Sequence, residues 1–220
     1  MQTEEFIDTS GPEAVRGFLH LPAEQGAGDV ALVLTHSAGG NCRAPLLIAL
    51  AEGFAQAGWT VLRCDLPFRQ ERPHGPPMRT AERDQAGLRS AVEALRRRRE
   101  SRIILGGHSY GGRMASMLAA REPGLAEALL LLSYPLHPPR KPEQMRTQHF
   151  ANLRTPALFV SGVRDGFGSV EELEAALRLI PARTRLLPIQ SAGHELLSKA
   201  NRDDLSPKVA EEFGRFAKLG

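Results

Sequence analysis

Three side chains of this sequence could together perform acyl transfer: Ser109, Asp165 and His194. A serine hydroxyl is a poor nucleophile at neutral pH, so it needs a histidine as base, and the histidine needs an acid that orients it. Ser109 stands in the stretch GHSYG, residues 107–111, which matches the G-x-S-x-G pattern of a nucleophile elbow. These residue types are common, so the elements that position them decide whether they can react together.

The elbow pattern requires a serine on a sharp turn between a buried strand and a helix. Residues 102–105 form an apolar run typical of a strand, and residues 110–121 have the pattern of a helix. The serine must adopt a strained backbone conformation, and its neighbours two positions away must be small, as Gly107 and Gly111 are. The nucleotide-binding patterns G-x-G-x-x-G and the P-loop do not fit this turn. A connection that serves packing alone is the other interpretation.

The acid and the base follow the serine along the chain in the order serine, aspartate, histidine. Predicted strand 157–162 leads to Asp165, and predicted strand 183–189 leads to His194. The carboxyl ends of parallel strands meet at one edge of a sheet, and this is where open α/β folds bind ligands. We therefore expect both side chains to lie near Ser109.

Acyl transfer also needs two hydrogen-bond donors for the oxyanion of the tetrahedral intermediate. One is the backbone N–H of the residue after the nucleophile, Tyr110. The other comes from the loop that follows predicted strand 30–36, in which Ala38 is the first choice and Ser37 the second.

Basic side chains near the same edge could contact a substrate. We predict substrate contacts for His36, His108 and Arg113. Topology brings three further basic residues close to this edge, and a charged cluster there would attract an anionic substrate. They are Arg69, Arg72 and His74. Solvation at the surface is the alternative for these cations.

Strands alternate with helices along the chain, which predicts a single α/β domain spanning residues 1–220. We expect a mostly parallel sheet of about seven or eight strands covered by helices on both faces, preceded by a β-hairpin and a turn at residues 26–29. The segment between Tyr134 and Pro156 is too short and proline-rich for a helical cap. The site should therefore be open.

Composition limits the partners. The formal net charge is +3, and the basic run at residues 96–99 closes a predicted helix, where arginines interact favourably with the helix dipole. We predict neither nucleic-acid nor membrane binding, because the basic run lacks interleaved aromatic residues and no apolar run has the length of a membrane span. Two cysteines without paired spacing and the absence of a signal pattern favour the cytoplasm, and they offer no zinc site. We predict no metal and no cofactor; the oligomeric state is open.

The sequence resembles the α/β-hydrolase fold over nearly its whole length. More narrowly, the stretches LTHSAGGN, VLRCDLPFRQ, GGHSYGGR and LLSYPLHPP are similar to a small dienelactone-hydrolase-like group of bacterial hydrolases, related to testis-expressed hydrolase-like proteins of animals. The resemblance implies a catalytic triad of Ser109, Asp165 and His194. Two departures stand out: dienelactone hydrolases proper use a cysteine at the position of Ser109, and Ser37 replaces the glycine of the usual His-Gly-Ala-Gly-Gly loop.

These observations predict a serine hydrolase that cleaves a small or openly accessible ester or thioester through an acyl-enzyme. The alternative is a catalytically idle α/β-hydrolase scaffold that binds a ligand or a protein, because a fold does not fix a function. An acyltransferase that uses an alcohol in place of water has the same sequence features.

Overall fold

An eight-stranded sheet runs through the protein in the order β1-β2-β4-β3-β5-β6-β7-β8. The structure, a computed structural model, describes residues 1–23, 30–78, 80–98, 102–190 and 192–217. The strands are β1 (Gln2–Asp8), β2 (Val15–Leu21), β3 (Val30–Thr35), β4 (Thr60–Cys64), β5 (Arg102–His108), β6 (Ala128–Leu132), β7 (Ala157–Gly162) and β8 (Thr184–Ile189). The helices are α1 (Pro45–Gln56), α2 (Pro67–Glu71), α3 (Ala81–Arg98), α4 (Tyr110–Arg121), α5 (Val170–Leu177) and α6 (Leu205–Ala217).

Strand pairing confirms the predicted architecture. β1 and β2 form an antiparallel hairpin, β2 pairs antiparallel with β4, and the strands from β4 through β3 to β8 are all parallel. The carboxyl ends of β3, β5, β7 and β8 consequently lie at the same edge of the sheet. The predicted turn at residues 26–29 and the last arginine of the basic run, Arg99, lie outside the described residues.

Two apolar layers cover the sheet. Every residue of β3, β6 and β7 is buried, as expected for parallel strands covered on both faces. Helices α3, α4 and α5 contribute to the core on one face, and α1 and α6 contribute to the core on the other. This packing holds the carboxyl edge of the sheet rigid, so loops that leave it start from fixed positions.

Two local features differ from the sequence interpretation. The proline-rich loop after β4 contains the short helix α2, which begins with Pro67 at a position where proline's fixed φ favours helix initiation. Strand β5 continues to His108, because Gly106 and Gly107 stay in register with β3 and β6.

Between residues 134 and 156, all of which are described, the structure has only the 3-10 turn Phe150–Asn152, so no cap domain covers the sheet edge.

No helix among the described residues has the length and apolar character needed to cross a membrane.

Protonation of His20 should destabilise the fold in acid. Arg63 Nε donates to His20 Nε2 at 2.7 Å, so the buried ring accepts this bond only while it is neutral. Burial, with the Arg63 charge adding to it, lowers the pKa of His20 to about 4. An unfolded histidine titrates near 6.5 and the folded one near 4, so between these values only the unfolded state binds the proton. The free energy of unfolding should therefore fall as pH is lowered through this window.

Urea unfolding at several pH values measures the effect. In wild type, His20 should contribute a loss of about 1 kcal/mol per pH unit within the window. The variant His20→Gln, whose amide oxygen can still accept from Arg63, should show a shallower dependence. Equal slopes for the two proteins would contradict this assignment.

Candidate active site

Ser109 occupies the turn between β5 and α4 in a strained conformation. Its φ is 51° and its ψ is −111°, a backbone conformation that residues other than glycine rarely adopt. Its N–H donates to the Leu132 carbonyl at 2.7 Å, and its carbonyl accepts from the Arg113 N–H at 3.0 Å. The sheet and the first turn of α4 therefore hold the serine from both sides.

The two glycines of the elbow are required by close contacts. A Cβ on Gly107 would lie 2.6 Å from the Gly111 carbonyl carbon, inside the first turn of α4. A Cβ on Gly111 would lie 2.6 Å from the His36 carbonyl oxygen, beyond the end of β3. Contacts below about 3 Å are not tolerated, so any larger residue would displace the turn that carries Ser109.

The structure brings His194 and Asp165 to the serine. His194 Nε2 lies 2.9 Å from Ser109 Oγ, and His194 Nδ1 lies 2.9 Å from Asp165 Oδ2 and 3.0 Å from Oδ1. The Asp165 side chain is 1% exposed, whereas the His194 side chain is 19% exposed and reaches the cleft. Because a carboxylate only accepts, Nδ1 is the donor to Asp165 and Nε2 is free to accept the serine proton.

Neighbouring residues fix the position of His194. The Phe167 ring stacks on the imidazole with centroids 4.1 Å apart, and the Phe167 N–H donates to Asp165 Oδ1 at 2.9 Å. His108 Nε2 donates to the His194 carbonyl at 2.8 Å. Burial lowers the pKa of His108, which keeps its ring neutral beside His194. His108 lines the cleft, where its predicted substrate contact stays a prediction.

The loop after β3 presents Ala38 beside the serine. The Ser37 carbonyl accepts from Gly40 N–H at 3.0 Å and from His36 Nδ1 at 2.8 Å, which fixes the plane of the peptide between residues 37 and 38. In a trans peptide the C=O and the following N–H point in opposite directions, so the Ala38 N–H points away from these two donors. Ser37, Ala38 and Tyr110 all line the cleft around Ser109.

His36 does not contact the cleft, which corrects its prediction as a substrate-binding residue. Its side chain is fully buried, and its Nε2 accepts from the Leu66 N–H at 3.1 Å. Burial lowers the pKa of His36, so the ring stays neutral and can accept this bond. The residue connects the loop after β3 to the loop after β4 instead of touching a ligand.

Arg69 holds the same loop from the other side and is not free to attract an anion. Only 5% of it is exposed. Its guanidinium donates to the carbonyl oxygens of Ala38 at 2.8 Å, Gly40 at 2.8 Å, Arg72 at 3.0 Å and Gly75 at 3.0 Å. The two segments that flank the cleft are therefore tied together through one buried cation.

The Tyr110 side chain is anchored below the elbow. Its hydroxyl donates at 2.7 Å to Asp84 Oδ2, whose carboxylate also accepts from Thr80 Oγ1 at 2.8 Å and from the Phe68 N–H at 3.1 Å. Burial raises the pKa of Tyr110, so the phenol stays protonated and donates this bond. The Tyr110 backbone N–H belongs to the first turn of α4, whose amides have no partner within the helix.

A cleft of about 980 Å³ opens above Ser109. Apolar residues form part of its wall, among them Leu46, Pro76, Pro77 and Phe167. Arg113 and Arg146 bring positive charge to it, and Glu195 brings a carboxylate. This combination of apolar surface and few polar groups is typical of small-molecule sites.

Comparison with known proteins identifies the family. A family model described as an alpha/beta hydrolase domain matches residues 28–217. The chain belongs to this α/β-hydrolase family. The match includes every candidate residue of the cleft.

Solved structures show the same fold. Dienelactone hydrolase from Anabaena variabilis aligns with a TM-score of 0.76 and 21% identity, covering 98% of this chain and 99% of that one. Est1E from Butyrivibrio proteoclasticus aligns at 0.78 with 16% identity over 97% and 99%. A lidless α/β serine hydrolase from Xanthomonas campestris aligns at 0.74 with 17% identity over 97% and 94%. At such identities the likeness concerns the fold, and it includes proteins without a lid.

Three residues that organise the cleft were missed or misassigned from the sequence: Arg69, Asp84 and Phe167. Asp84 interrupts the buried face of α3, and a carboxylate at such a position signals buried hydrogen-bond donors nearby. Arg69 follows Pro67 in what the sequence presents as a loop, so no periodicity indicated its burial. Phe167 gave no signal beyond its closeness to Asp165.

Loss of the Arg69 guanidinium should impair turnover more than binding. In Arg69→Met the Ala38 and Gly40 carbonyls lose their buried donor, and the Ala38 N–H moves from its fixed position. We expect kcat for 4-nitrophenyl acetate to fall at least about tenfold, because one misplaced oxyanion donor has effects of this order or larger. KM should change less than kcat.

Arg72→Met is the matched control, since the Arg72 side chain donates to Met78 Sδ at 3.1 Å, while its backbone carbonyl, which accepts from Arg69, is retained. An unchanged kcat in Arg69→Met, in a protein whose melting temperature equals that of wild type, would contradict the positioning role.

Proposed function

We propose that the protein is a serine hydrolase that cleaves a small ester by way of an acyl-enzyme. The observation that carries the proposal is the continuous hydrogen-bonded series from Ser109 Oγ through His194 to the buried Asp165 carboxylate. Such a series supplies the base that a serine needs and the acid that orients this base. The membership of the chain in a hydrolase family supports the same assignment.

The first chemical step forms the acyl-enzyme. Ser109 Oγ attacks the ester carbonyl carbon while its proton passes to His194 Nε2, and the carbonyl electron pair moves to the oxygen. When the tetrahedral intermediate collapses, the bond to the alcohol breaks and the alcohol oxygen takes the proton from Nε2. Asp165 stabilises the imidazolium that exists between these two proton transfers and is not protonated itself.

The oxyanion of the intermediate would be held by two backbone N–H groups, those of Tyr110 and Ala38. Tyr110 begins α4, so the helix dipole adds favourable potential at this point. The Ala38 N–H points away from the two groups that hold the Ser37 carbonyl. Each donor of this kind contributes about 2.7 to 4 kcal/mol to transition-state stabilisation. The hydroxyl of Ser37 lies beside Gly40.

Hydrolysis of the acyl-enzyme repeats the chemistry with water. His194 Nε2 takes a proton from a water molecule as the water oxygen attacks the acyl carbon. Collapse of the second intermediate returns the proton to Ser109 Oγ and releases a carboxylic acid.

The substrate should be short and enter from solvent. The segment between β6 and β7, all of which is described, contains no cap domain over the cleft. A long acyl chain would therefore find no tunnel that buries it. The related structures carry names that agree with small substrates: one is a dienelactone hydrolase, and Est1E was solved with ferulic acid bound. We infer a carboxylic ester as substrate, with a thioester as the chemically adjacent case.

A cytoplasmic location stays a prediction, with which the two free cysteines are consistent. A small-molecule partner and the absence of nucleic-acid and membrane partners also stay predictions.

Steady-state hydrolysis of 4-nitrophenyl acetate and butyrate tests the proposed function. Wild type should hydrolyse both esters, and His194→Gln and Asp165→Asn should each lose roughly 10³- to 10⁴-fold in kcat, because the base or its tautomer is lost. His74→Gln and Asp203→Asn, which change the same residue types at exposed positions, serve as controls and should retain the wild-type rate. Retention of activity in both Asp165→Asn and His194→Gln would refute the proposed triad.

A further inference from the structure

Two arginines that line the cleft differ from the arginines of α3, which are paired with carboxylates. Along α3, Arg83, Arg89, Arg96, Arg97 and Arg98 each form an ion pair. Among the described residues, by contrast, no carboxylate forms an ion pair with Arg113 or Arg146. Both are only partly exposed, and both line the cleft with Ser109.

The position of Arg113 is set by the elbow itself. Its N–H donates to the Ser109 carbonyl at 3.0 Å, so the arginine lies one helical turn beyond the serine. Residues four apart lie on the same face of a helix, with Cβ atoms about 5 to 6 Å apart. The Arg113 Nε is buried and has no hydrogen-bond partner. This donor is inaccessible, so a ligand would contact the part of the Arg113 side chain that lines the cleft.

Arg146 reaches the same region from the loop between β6 and β7. Its N–H donates to the Leu136 carbonyl at 2.8 Å and its carbonyl accepts from the Tyr134 hydroxyl at 2.6 Å, so its backbone is well anchored. Its Nη1 donates to the Pro135 carbonyl at 3.3 Å. Burial, with the Arg113 charge adding to it, lowers the pKa of Arg146. Both arginines line the same cleft, so one small anion bound there could contact both.

We propose that Arg113 and Arg146 form a subsite for a carboxylate carried by the substrate, within a few bonds of the ester that Ser109 attacks. Two planar guanidinium groups can each donate two parallel hydrogen bonds to a carboxylate, and a bound anion removes the repulsion between them. This inference rests on the proposed ester hydrolysis and narrows its substrate class to esters that are also carboxylic acids.

The other charges of the cleft favour a singly charged anion. Glu195 is exposed at the cleft and follows His194 directly, so it opposes negative charge on that side. His149 does not line the cleft; its Nε2 lies 2.8 Å from Ser116 Oγ, and burial together with the Arg113 charge lowers its pKa to about 4, so it stays neutral and adds no further cation. A phosphate carries roughly −1.5 to −2 charges at neutral pH and would meet stronger repulsion from Glu195 than a carboxylate does.

Matched pairs of esters test the subsite by pH-stat assay. The first pair has the charge on the leaving alcohol: 3-acetoxybenzoate and 3-acetoxybenzamide. The second has it on the acyl part: monoethyl adipate and its carbamoyl analogue. We expect wild type to prefer the carboxylate of at least one pair by about tenfold or more in kcat/KM, since hydrogen bonds to charged groups contribute this much.

Arg113→Met and Arg146→Met should each reduce this preference by about tenfold, the effect of losing one charge-assisted contact. The control is Arg121→Met, an exposed arginine at the end of the same helix, which should leave the ratio unchanged. No preference in either pair, or a preference that persists in both variants, would overturn the subsite while leaving ester hydrolysis intact.

A binding experiment separates the subsite from catalysis. Isothermal titration of the Ser109→Ala protein with both members of each ester pair requires no turnover. We expect the carboxylate to bind more tightly than its amide in at least one pair, and this difference to disappear in the double variant that also carries Arg113→Met. If wild type hydrolyses none of the esters, the proposed function fails, but equal binding of carboxylate and amide in both pairs is still what would refute the subsite.

Discussion

The strained turn at Ser109 is the constraint on which the cleft depends. A serine with positive φ is unfavourable by itself, and it persists because β5, β6 and α4 fix the residues on either side of it. The same turn leaves no room for a Cβ at Gly107 or Gly111, and it directs the hydroxyl toward His194. The stable, buried sheet thus fixes the position of Ser109 Oγ.

Buried cations and neutral rings hold the opposite wall of the cleft. The side chains of Arg69 and His36 connect the loop after β3 to the segment after β4 through hydrogen bonds to backbone atoms. Asp84 does the same for Tyr110 and for the start of α2. These polar side chains position two amides beside the serine in a site that no cap domain covers.

The sequence allowed prediction of the parallel sheet, its hairpin and most element boundaries, because buried parallel strands have continuous apolar runs and the helices between them have distinct ends. It also placed Ser109, Asp165 and His194 at one edge, since each follows a strand. It did not reveal α2, Arg69 or Asp84, and it wrongly assigned His36 to the cleft. Whether a polar side chain near a strand end faces a ligand or a backbone carbonyl depends on packing between segments distant in the chain, which a single sequence does not contain.

The most direct test of the central claim is intact-mass analysis after treatment with a fluorophosphonate, which forms a covalent bond only with an activated serine. Wild type should gain the mass of a single adduct, and Ser109→Ala should gain none. A well-folded wild type that remains unmodified, or a Ser109→Ala protein that is modified to the same extent, would contradict the account of an assembled and reactive serine site. In the first case a ligand-binding scaffold would become the better description of the protein.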